Sequence, residues 1–214
     1  MPLTLSLDLS LLPVHSPCRR RLPRDSIRGT AKPTGSRISA MTQEGYAEAL
    51  EAISTSSRLP EVVVLDLDYC SWPFWCEMYT PDDTPRLYPE TRGIIDAVRD
   101  SNMKFAVASR TPTPHVARSF LKKLDLMDKI DNMQLIPASS GFDQTSAQKD
   151  KAHFPKIRQE LGIDYGSMLF FDDEHKNILR VSKLGVCSIL VDTSTGVDVA
   201  IFRQGLEKFA AGNA

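Results

Sequence analysis

The chain has 214 residues, of which 42% are hydrophobic and 25% are charged, and its formal net charge at pH 7 is −1. This length suits one domain with a terminal appendage and is enough for a sizeable hydrophobic core. The near-neutral charge gives no indication of nucleic-acid binding. The four cysteines stand at irregular spacing, which predicts neither a disulfide framework nor a zinc site and favours a reducing compartment.

The first 40 residues differ in composition from the rest of the chain, with seven basic residues against two acidic ones. An Arg- and Ser-rich, acid-poor start is typical of an organelle transit peptide. A disordered basic tail, or an untranslated stretch upstream of a true start at Met41, are the alternatives. The apolar stretch Leu3–Leu12 is too short to span a membrane, so no membrane partner is expected. We expect a plastid or mitochondrial location if residues 1–40 target the chain, and a cytoplasmic one otherwise.

Helices and strands are predicted to alternate along the remaining chain. Residues 41–57 are expected to form a short helical extension, and residues 58–214 an α/β domain. Short apolar runs predict buried parallel strands, and apolar residues at helical spacing predict helices between them. The alternation predicts a three-layer, Rossmann-like doubly wound fold with a mainly parallel sheet. Strands are expected at Val62–Leu65, Lys104–Ala108, Ser167–Phe171 and Val186–Val191, and helices begin near Pro114, His153, Glu174 and Val199.

Two carboxylates, Asp66 and Asp68, follow the first predicted strand. Residues two apart on a strand lie on the same side, and two carboxylates placed there repel each other unless a cation or a shared proton intervenes. In an open α/β sheet, the C-terminal ends of the strands are also where ligands bind. The pair therefore predicts a Mg²⁺-assisted site in which one carboxylate can attack and the other can transfer a proton.

Polar residues also follow two further predicted strands, as Ser109-Arg110-Thr111 and as Asp172-Asp173-Glu174. A hydroxyl with neighbouring backbone N–H groups can hold phosphate oxygens, and two more carboxylates can complete the oxygen shell of Mg²⁺. Taken singly, Ser109 is explained by turn chemistry, and the two aspartates by helix capping. The recurrence of such groups at three strand ends favours one shared site.

These residues resemble a known family. The order Asp-x-Asp, Ser, Lys and Asp-Asp is similar to the four motifs of the haloacid dehalogenase superfamily. The strings Trp-Pro-Phe-Trp at 72–75 and Phe-Phe-Asp-Asp-Glu at 170–174 resemble more specifically its branch of small magnesium-dependent acid phosphatases. The resemblance covers residues 58–214 and implies a haloacid-dehalogenase-like fold.

The resemblance also implies residue roles. Asp66 would be the nucleophile that forms an aspartyl-phosphate, Asp68 the general acid and base, and Ser109 a phosphoryl-binding residue. Asp172 would join Asp66 and the backbone carbonyl of Asp68 around Mg²⁺, with Asp173 as a further candidate ligand. A carboxylate at position 68 suits a phosphate ester, because its leaving oxygen needs a proton.

The chain departs from the family pattern at two positions. Cys70 stands where the family usually has Thr, and Asp150 stands where the phosphate-binding Lys is expected. A one-residue shift would bring in Lys149 or Lys151, and we expect Lys151 because it is nearer the helix that begins around His153. The alternative for both is a solvated charge cluster at a helix N-terminus.

The loop after the Asp-x-Asp pair is short, with only twelve residues between Trp75 and Tyr88. Larger superfamily members insert a cap domain there, so we predict no cap and an open site that admits phosphoesters on proteins. Ser109, Arg110 and Trp72 are predicted to contact substrate, the last as part of an aromatic platform with its neighbours. The alternative for these rings is packing of the loop onto the sheet.

The predicted function is therefore a Mg²⁺-dependent phosphomonoester hydrolase acting on protein phosphotyrosine or other exposed phosphoesters. A sugar-phosphate phosphatase with the same chemistry is one alternative. A catalytically silent phosphate-binding protein, in which the displaced Lys and Cys70 have inactivated the site, is the other. The expected partner is a phosphorylated small molecule or protein, with no nucleic acid, and the expected state is a monomer.

Overall fold

The computed structural model describes residues 43–137 and 148–212. The predicted transit peptide or basic extension, residues 1–40, lies outside these residues. Within them, no helix is both long enough and apolar enough to cross a membrane.

A parallel sheet forms the centre of the described domain. Its order is β3-β2-β1-β4-β5, and every neighbouring pair of strands is parallel, which confirms the predicted parallel sheet. The third strand was not predicted, because its buried Asn132 and Gln134 interrupt any apolar pattern. Both amides donate to the carboxylate of Glu160, which satisfies them inside the protein. The strands are β1 (Val62–Leu65), β2 (Lys104–Ser109), β3 (Asn132–Leu135), β4 (Met168–Asp172) and β5 (Cys187–Leu190).

Helices cover both faces of the sheet, as predicted. Successive strand residues point to opposite faces, so Val63 and Leu65 enter one core with α1, α2, α3 and α6, while Val62 and Val64 enter a second core with α4 and α5. The three layers confirm the predicted doubly wound fold. The helices are α1 (Tyr46–Thr55), α2 (Thr91–Asp100), α3 (Pro114–Lys123), α4 (Phe154–Leu161), α5 (His175–Val181) and α6 (Val199–Ala210).

Within the predicted extension 41–57, Tyr46–Thr55 form α1, which packs on the domain. Ala49, Ala52 and Ile53 of α1 are buried in the same core as α2 and α6. The approach to α2 is very close, because a Cβ atom at Gly93 would lie 2.2 Å from the carbonyl oxygen of Glu44. Glycine is therefore required at this contact.

The segment between β1 and α2, residues 66–90, determines how open the C-terminal edge of the sheet is. It contains turns and one 3₁₀ turn, Cys76–Met78, and no α-helix or strand of its own. A cap domain is thus absent at this point of the described chain, as predicted.

Candidate active site

The C-terminal edge of the sheet brings together the polar residues that follow β1, β2 and β4. The register pairs Leu65 with both Val107 and Phe171, and the Asp66 N–H donates to the Phe171 carbonyl at 3.0 Å. Asp66 therefore lies level with Asp172 at the end of β4. Both carboxylates are buried, as is Ser109 at the end of β2.

A tight turn after β1 holds the two carboxylates of the Asp-x-Asp pair. Tyr69 adopts a left-handed conformation with φ of +54°, which is uncommon for a residue other than glycine. The N–H groups of Ser71 and Trp72 both donate to the Leu67 carbonyl, and the Ser71 hydroxyl donates to the Asp66 carbonyl at 2.5 Å. Backbone strain retained at such a turn is a common feature of functional sites.

Two hydrogen bonds fix the side chain of Asp68. Its Oδ1 accepts from the indole Nε1 of Trp72 at 2.6 Å and from the backbone N–H of Cys76 at 3.1 Å. Burial raises the pKa of Asp68 above its ordinary value, and these two hydrogen bonds partly offset the rise. Asp68 is thus a well-positioned carboxyl group with an increased tendency to hold a proton.

Trp72 does not line the opening, which corrects the prediction that it contacts substrate. Its ring is fully buried and stacks on Phe74, with the ring centroids 5.5 Å apart. The physical reason is that its N–H bonds to Asp68, so the ring points into the protein. Trp75 is instead 55% exposed, lines the opening and makes an edge contact with Tyr69 at 5.3 Å.

Lys149, rather than Lys151, lies among the carboxylates. Its side chain is 1% exposed, its Nζ is 2.9 Å from Asp66 Oδ1, and it forms a second ion pair with Asp172. The side chain of Lys151 is exposed, so the preference for that residue was wrong. The helical turn starts earlier than expected, as one π-turn over Lys149–His153 that precedes α4. Asp150, between the two lysines, is half-buried.

The charges in this cluster depend on one another. Burial alone would lower the pKa of Lys149, but Asp172 and Asp66 raise it above its ordinary value, so the ammonium stays charged. Burial raises the pKa of Asp66, and the nearby Asp172 adds to the rise, while Lys149 opposes it. Burial also raises the pKa of Asp173 to about 6, with Asp172 contributing. The site therefore holds more negative charge than Lys149 alone can compensate.

The same carboxylates fit a magnesium ion. One oxygen from each of Asp66, Asp172 and Asp173 lies within 4.8 Å of the others, and oxygen ligands of this kind suit Mg²⁺. Asp66 Oδ1 is buried and accepts no well-directed hydrogen bond, although the Lys149 ammonium is near. A divalent cation would satisfy that oxygen and compensate the excess charge. The side chain of Asp68 does not belong to this oxygen cluster.

Asn177 supports Asp172, and sequence analysis did not identify it. Its side-chain amide donates to both oxygens of Asp172, at 3.1 and 3.2 Å, and to Glu174 Oε2 at 3.1 Å. It is buried in the first turn of α5. The only signal in the sequence was an amide residue five positions after Asp172, which is also an ordinary residue for a helix start.

The end of β2 carries the groups suited to a phosphate. The Ser109 hydroxyl accepts a hydrogen bond from the Thr111 N–H at 3.3 Å, and the Ser109 carbonyl accepts one from His153 Nε2 at 2.8 Å. Arg110 lies 3.5 Å from Glu174 at the rim. The opening is a pocket of about 270 Å³, and most of the predicted site residues line it: Asp66, Asp68, Ser109, Arg110, Lys149 and Asp173.

Known proteins share this sequence pattern. The sequence profile of the Acid Phosphatase family matches residues 81–212. Human magnesium-dependent phosphatase 1 is 34% identical over 169 residues, which covers 72% of this chain and 89% of that protein. A HAD-like hydrolase superfamily protein of Schizosaccharomyces pombe is also 34% identical, over 148 residues that cover 60% of this chain and 84% of that protein.

The fold, the site and these relatives together define a phosphatase of the haloacid dehalogenase superfamily. Within that class, the chain belongs to the acid phosphatase family. A solved structure of D,D-heptose 1,7-bisphosphate phosphatase from B. bronchiseptica, complexed with magnesium and phosphate, shares the fold with a TM-score of 0.53. At 14% identity, over 67% of this chain and 86% of that one, this similarity shows the fold alone.

Proposed function

We propose that the chain is a magnesium-dependent phosphomonoester hydrolase that acts through an aspartyl-phosphate on Asp66, with phosphotyrosine on proteins as its substrate class. The observation that carries the proposal is the position of Asp66. Its buried carboxylate lies 2.9 Å from Lys149 and within 4.8 Å of the oxygens of Asp172 and Asp173. A carboxylate nucleophile needs positive charge beside it, here from Lys149 and a bound cation, to approach a phosphoryl dianion.

In the first step, a carboxylate oxygen of Asp66 attacks phosphorus, and the bond between phosphorus and the ester oxygen breaks. The departing oxygen takes a proton from Asp68, so the leaving group departs as a neutral alcohol or phenol. The raised pKa of Asp68 supports this role, because burial favours the protonated form of the group. The hydrogen bonds from Trp72 and Cys76 hold it in one orientation throughout.

In the second step, water attacks the aspartyl-phosphate. Asp68, which is now ionised, accepts a proton from that water, and the bond between phosphorus and Asp66 breaks. Inorganic phosphate leaves, and both carboxyl groups return to their starting forms. The two steps balance without any further reactant, since one water is consumed and one alcohol is released.

The bound ion supplies positive charge to the phosphoryl oxygens and to Asp66. The side chains of Asp66, Asp172 and Asp173 would hold it, together with the backbone carbonyl of Asp68. Lys149 provides a positive charge from the protein itself, and the hydrogen bonds from Asn177 hold the carboxylate of Asp172 in place. Ser109 and Arg110, which line the pocket at the end of β2, would bind the phosphoryl oxygens.

The open pocket supports a substrate carried on a protein. Only turns and one 3₁₀ turn follow β1 on this side of the pocket, and the exposed ring of Trp75 lies at the rim beside Tyr69. A flat ring at that place can pack against the phenyl group of phosphotyrosine. The contact between Lys149 and Asp66 argues against a silent phosphate-binding protein, because a lysine does reach the nucleophile despite Asp150.

Two assays test the proposal. Hydrolysis of p-nitrophenyl phosphate should require Mg²⁺, disappear with EDTA and return when Mg²⁺ is added in excess. A phosphotyrosine peptide should then be hydrolysed with a higher kcat/KM than hexose phosphates, and Trp75→Ala should lower only the former. Efficient hydrolysis of sugar phosphates that is insensitive to Trp75→Ala would favour the sugar-phosphate phosphatase instead.

A further inference from the structure

A second surface feature lies along α3, which begins two residues after Pro112 of the active-site pocket. It is a groove of about 560 Å³ that the active site does not use. The groove is lined by Pro114, His115, Arg118, Ser119, Lys122 and Met127. Its lining includes three basic side chains and no carboxylate.

The basic side chains of the groove are free to bind a ligand. His115, Arg118 and Lys122 are three and four residues apart, so they lie on one face of α3, and all three are exposed. None has an ion pair or a side-chain hydrogen bond with the residues that the structure describes. The helix contains no acidic residue that could neutralise them.

We propose that this groove docks an acidic segment of the phosphorylated protein substrate, and this inference rests on the proposed function. Arg118 and Lys122 give charge complementarity to Asp and Glu side chains, and the imidazole of His115 can donate a hydrogen bond to a carboxylate. Pro114 and Met127 offer apolar contact to the rest of the peptide. An acidic peptide fits such a surface better than a neutral one. Binding of this segment in the groove would raise the affinity for the protein substrate, because the catalytic pocket itself is open.

The position of the groove predicts where the acidic residues stand in the substrate. Pro112 lines the active-site pocket and Pro114 lines the groove. Because these prolines are two residues apart, their Cα atoms are separated by at most about 7 Å. From His115 to Lys122 the helix rises about 10 Å. An extended peptide advances about 3.3 Å per residue. The acidic residues are therefore expected about three to six positions from the phosphorylated residue.

A binding experiment tests the groove separately from catalysis. The probe is a fluorescent, unphosphorylated peptide with Glu at three to six positions on both sides of a central Tyr, and the reference peptide has Gln in place of Glu. Fluorescence anisotropy should show saturable binding of the Glu peptide, at least about tenfold tighter than the Gln peptide at low salt. The double variant Arg118→Glu/Lys122→Glu should abolish this difference.

A matched control is Lys156→Glu/Lys183→Glu, which changes the net charge equally at two exposed residues of the other sheet face and should keep the preference. Equal binding of both peptides, or equal loss in both double variants, overturns the proposal. Binding of an oligothymidylate as tightly as the Glu peptide also overturns it, in favour of a nucleic-acid surface. All variants should hydrolyse p-nitrophenyl phosphate normally. Failure of the wild type in that assay contradicts the proposed function and leaves the docking result to stand alone.

Discussion

At the scale of single residues, Lys149 determines the electrostatics of the site. It is a fully buried ammonium between Asp66 and Asp172, and removal of one partner of such a pair leaves an uncompensated buried charge. Its placement explains how the chain tolerates Asp150 where a lysine is expected. In the proposed mechanism, the same position lets Lys149 contact the phosphoryl group next to Asp66.

Lys149→Met should therefore lower kcat for p-nitrophenyl phosphate by about 10²–10³-fold, by analogy with the loss of one charge-stabilising donor. The control is Lys151→Met, which removes an exposed ammonium two residues away and should change kcat less than about twofold. Circular dichroism of both variants tests that the fold is retained. A large loss only in the Lys151 variant would transfer the role to that residue.

Asp68 gives a second prediction, which depends on the leaving group. Asp68→Asn should slow an alkyl phosphate at least about tenfold more than p-nitrophenyl phosphate, because a poor leaving group needs a proton while nitrophenolate departs without one. Steady-state kcat/KM for both substrates measures this ratio. Equal losses on the two substrates would contradict the role of Asp68 as general acid.

These contacts explain which residues of the site could be predicted from the sequence. Asp66, Ser109 and Asp172 were predictable because each ends an apolar strand, and parallel strands place such ends together. The choice between Lys149 and Lys151 was not, since it depends on whether the chain makes a π-turn or a regular helical turn there. The burial of Trp72 could not be predicted either, because the sequence does not tell which of the neighbouring aromatic residues donates a hydrogen bond to Asp68.

At the scale of elements, the contact between α1 and α2 links the N-terminal helix to the domain. A short helix within residues 41–57 could be predicted from the sequence, but its packing could not, since the pattern does not say which surface of the domain α1 contacts. Gly93 is the local reason for the close approach. The backbone of Glu44, Gly45 and Tyr46, where the chain enters α1, occupies the space where any other residue would place its Cβ.

Gly93→Ala is expected to lower the free energy of unfolding by about 1–3 kcal/mol, the range for forced overpacking, because backbone cannot move aside as a side chain can. Urea unfolding followed by circular dichroism gives the value. The control is Gly166→Ala, where an added Cβ meets nothing within 4 Å. Equal stability of the two variants would mean that α1 does not pack there in solution.

At the scale of the whole molecule, the buried residue His153 should contribute to the pH dependence of stability. His153 is fully buried, and burial lowers the pKa of its ring to about 3. Since Nε2 contacts the Ser109 carbonyl, that nitrogen carries the proton, and the other ring nitrogen has no partner among the described residues. The ring is therefore neutral when folded, whereas an unfolded chain protonates it near its ordinary pKa of about 6.5.

The pKa of His153 is lower in the folded protein than in the unfolded chain. The contribution of the neutral ring to the free energy of unfolding is therefore complete above about pH 6.5 and is lost as the pH falls toward 3. Between pH 7 and 5.5, the wild type should lose about 1 kcal/mol more stability than His153→Gln, whose amide can still donate to Ser109. Urea unfolding at both values measures the difference. The exposed His115→Gln control should behave as wild type, and parallel loss in all three proteins would contradict this assignment.

The central claim is that Asp66 carries the phosphoryl group during turnover. The most direct measurement is acid quenching of the protein during hydrolysis of p-nitrophenyl phosphate with Mg²⁺, followed by peptide mass spectrometry. The peptide that contains Asp66 should gain one phosphoryl group, which hydroxylamine removes, and Asp66→Asn should show neither turnover nor label. Turnover in a carefully purified Asp66→Asn protein, or a phosphoryl group found on another residue, would contradict the account.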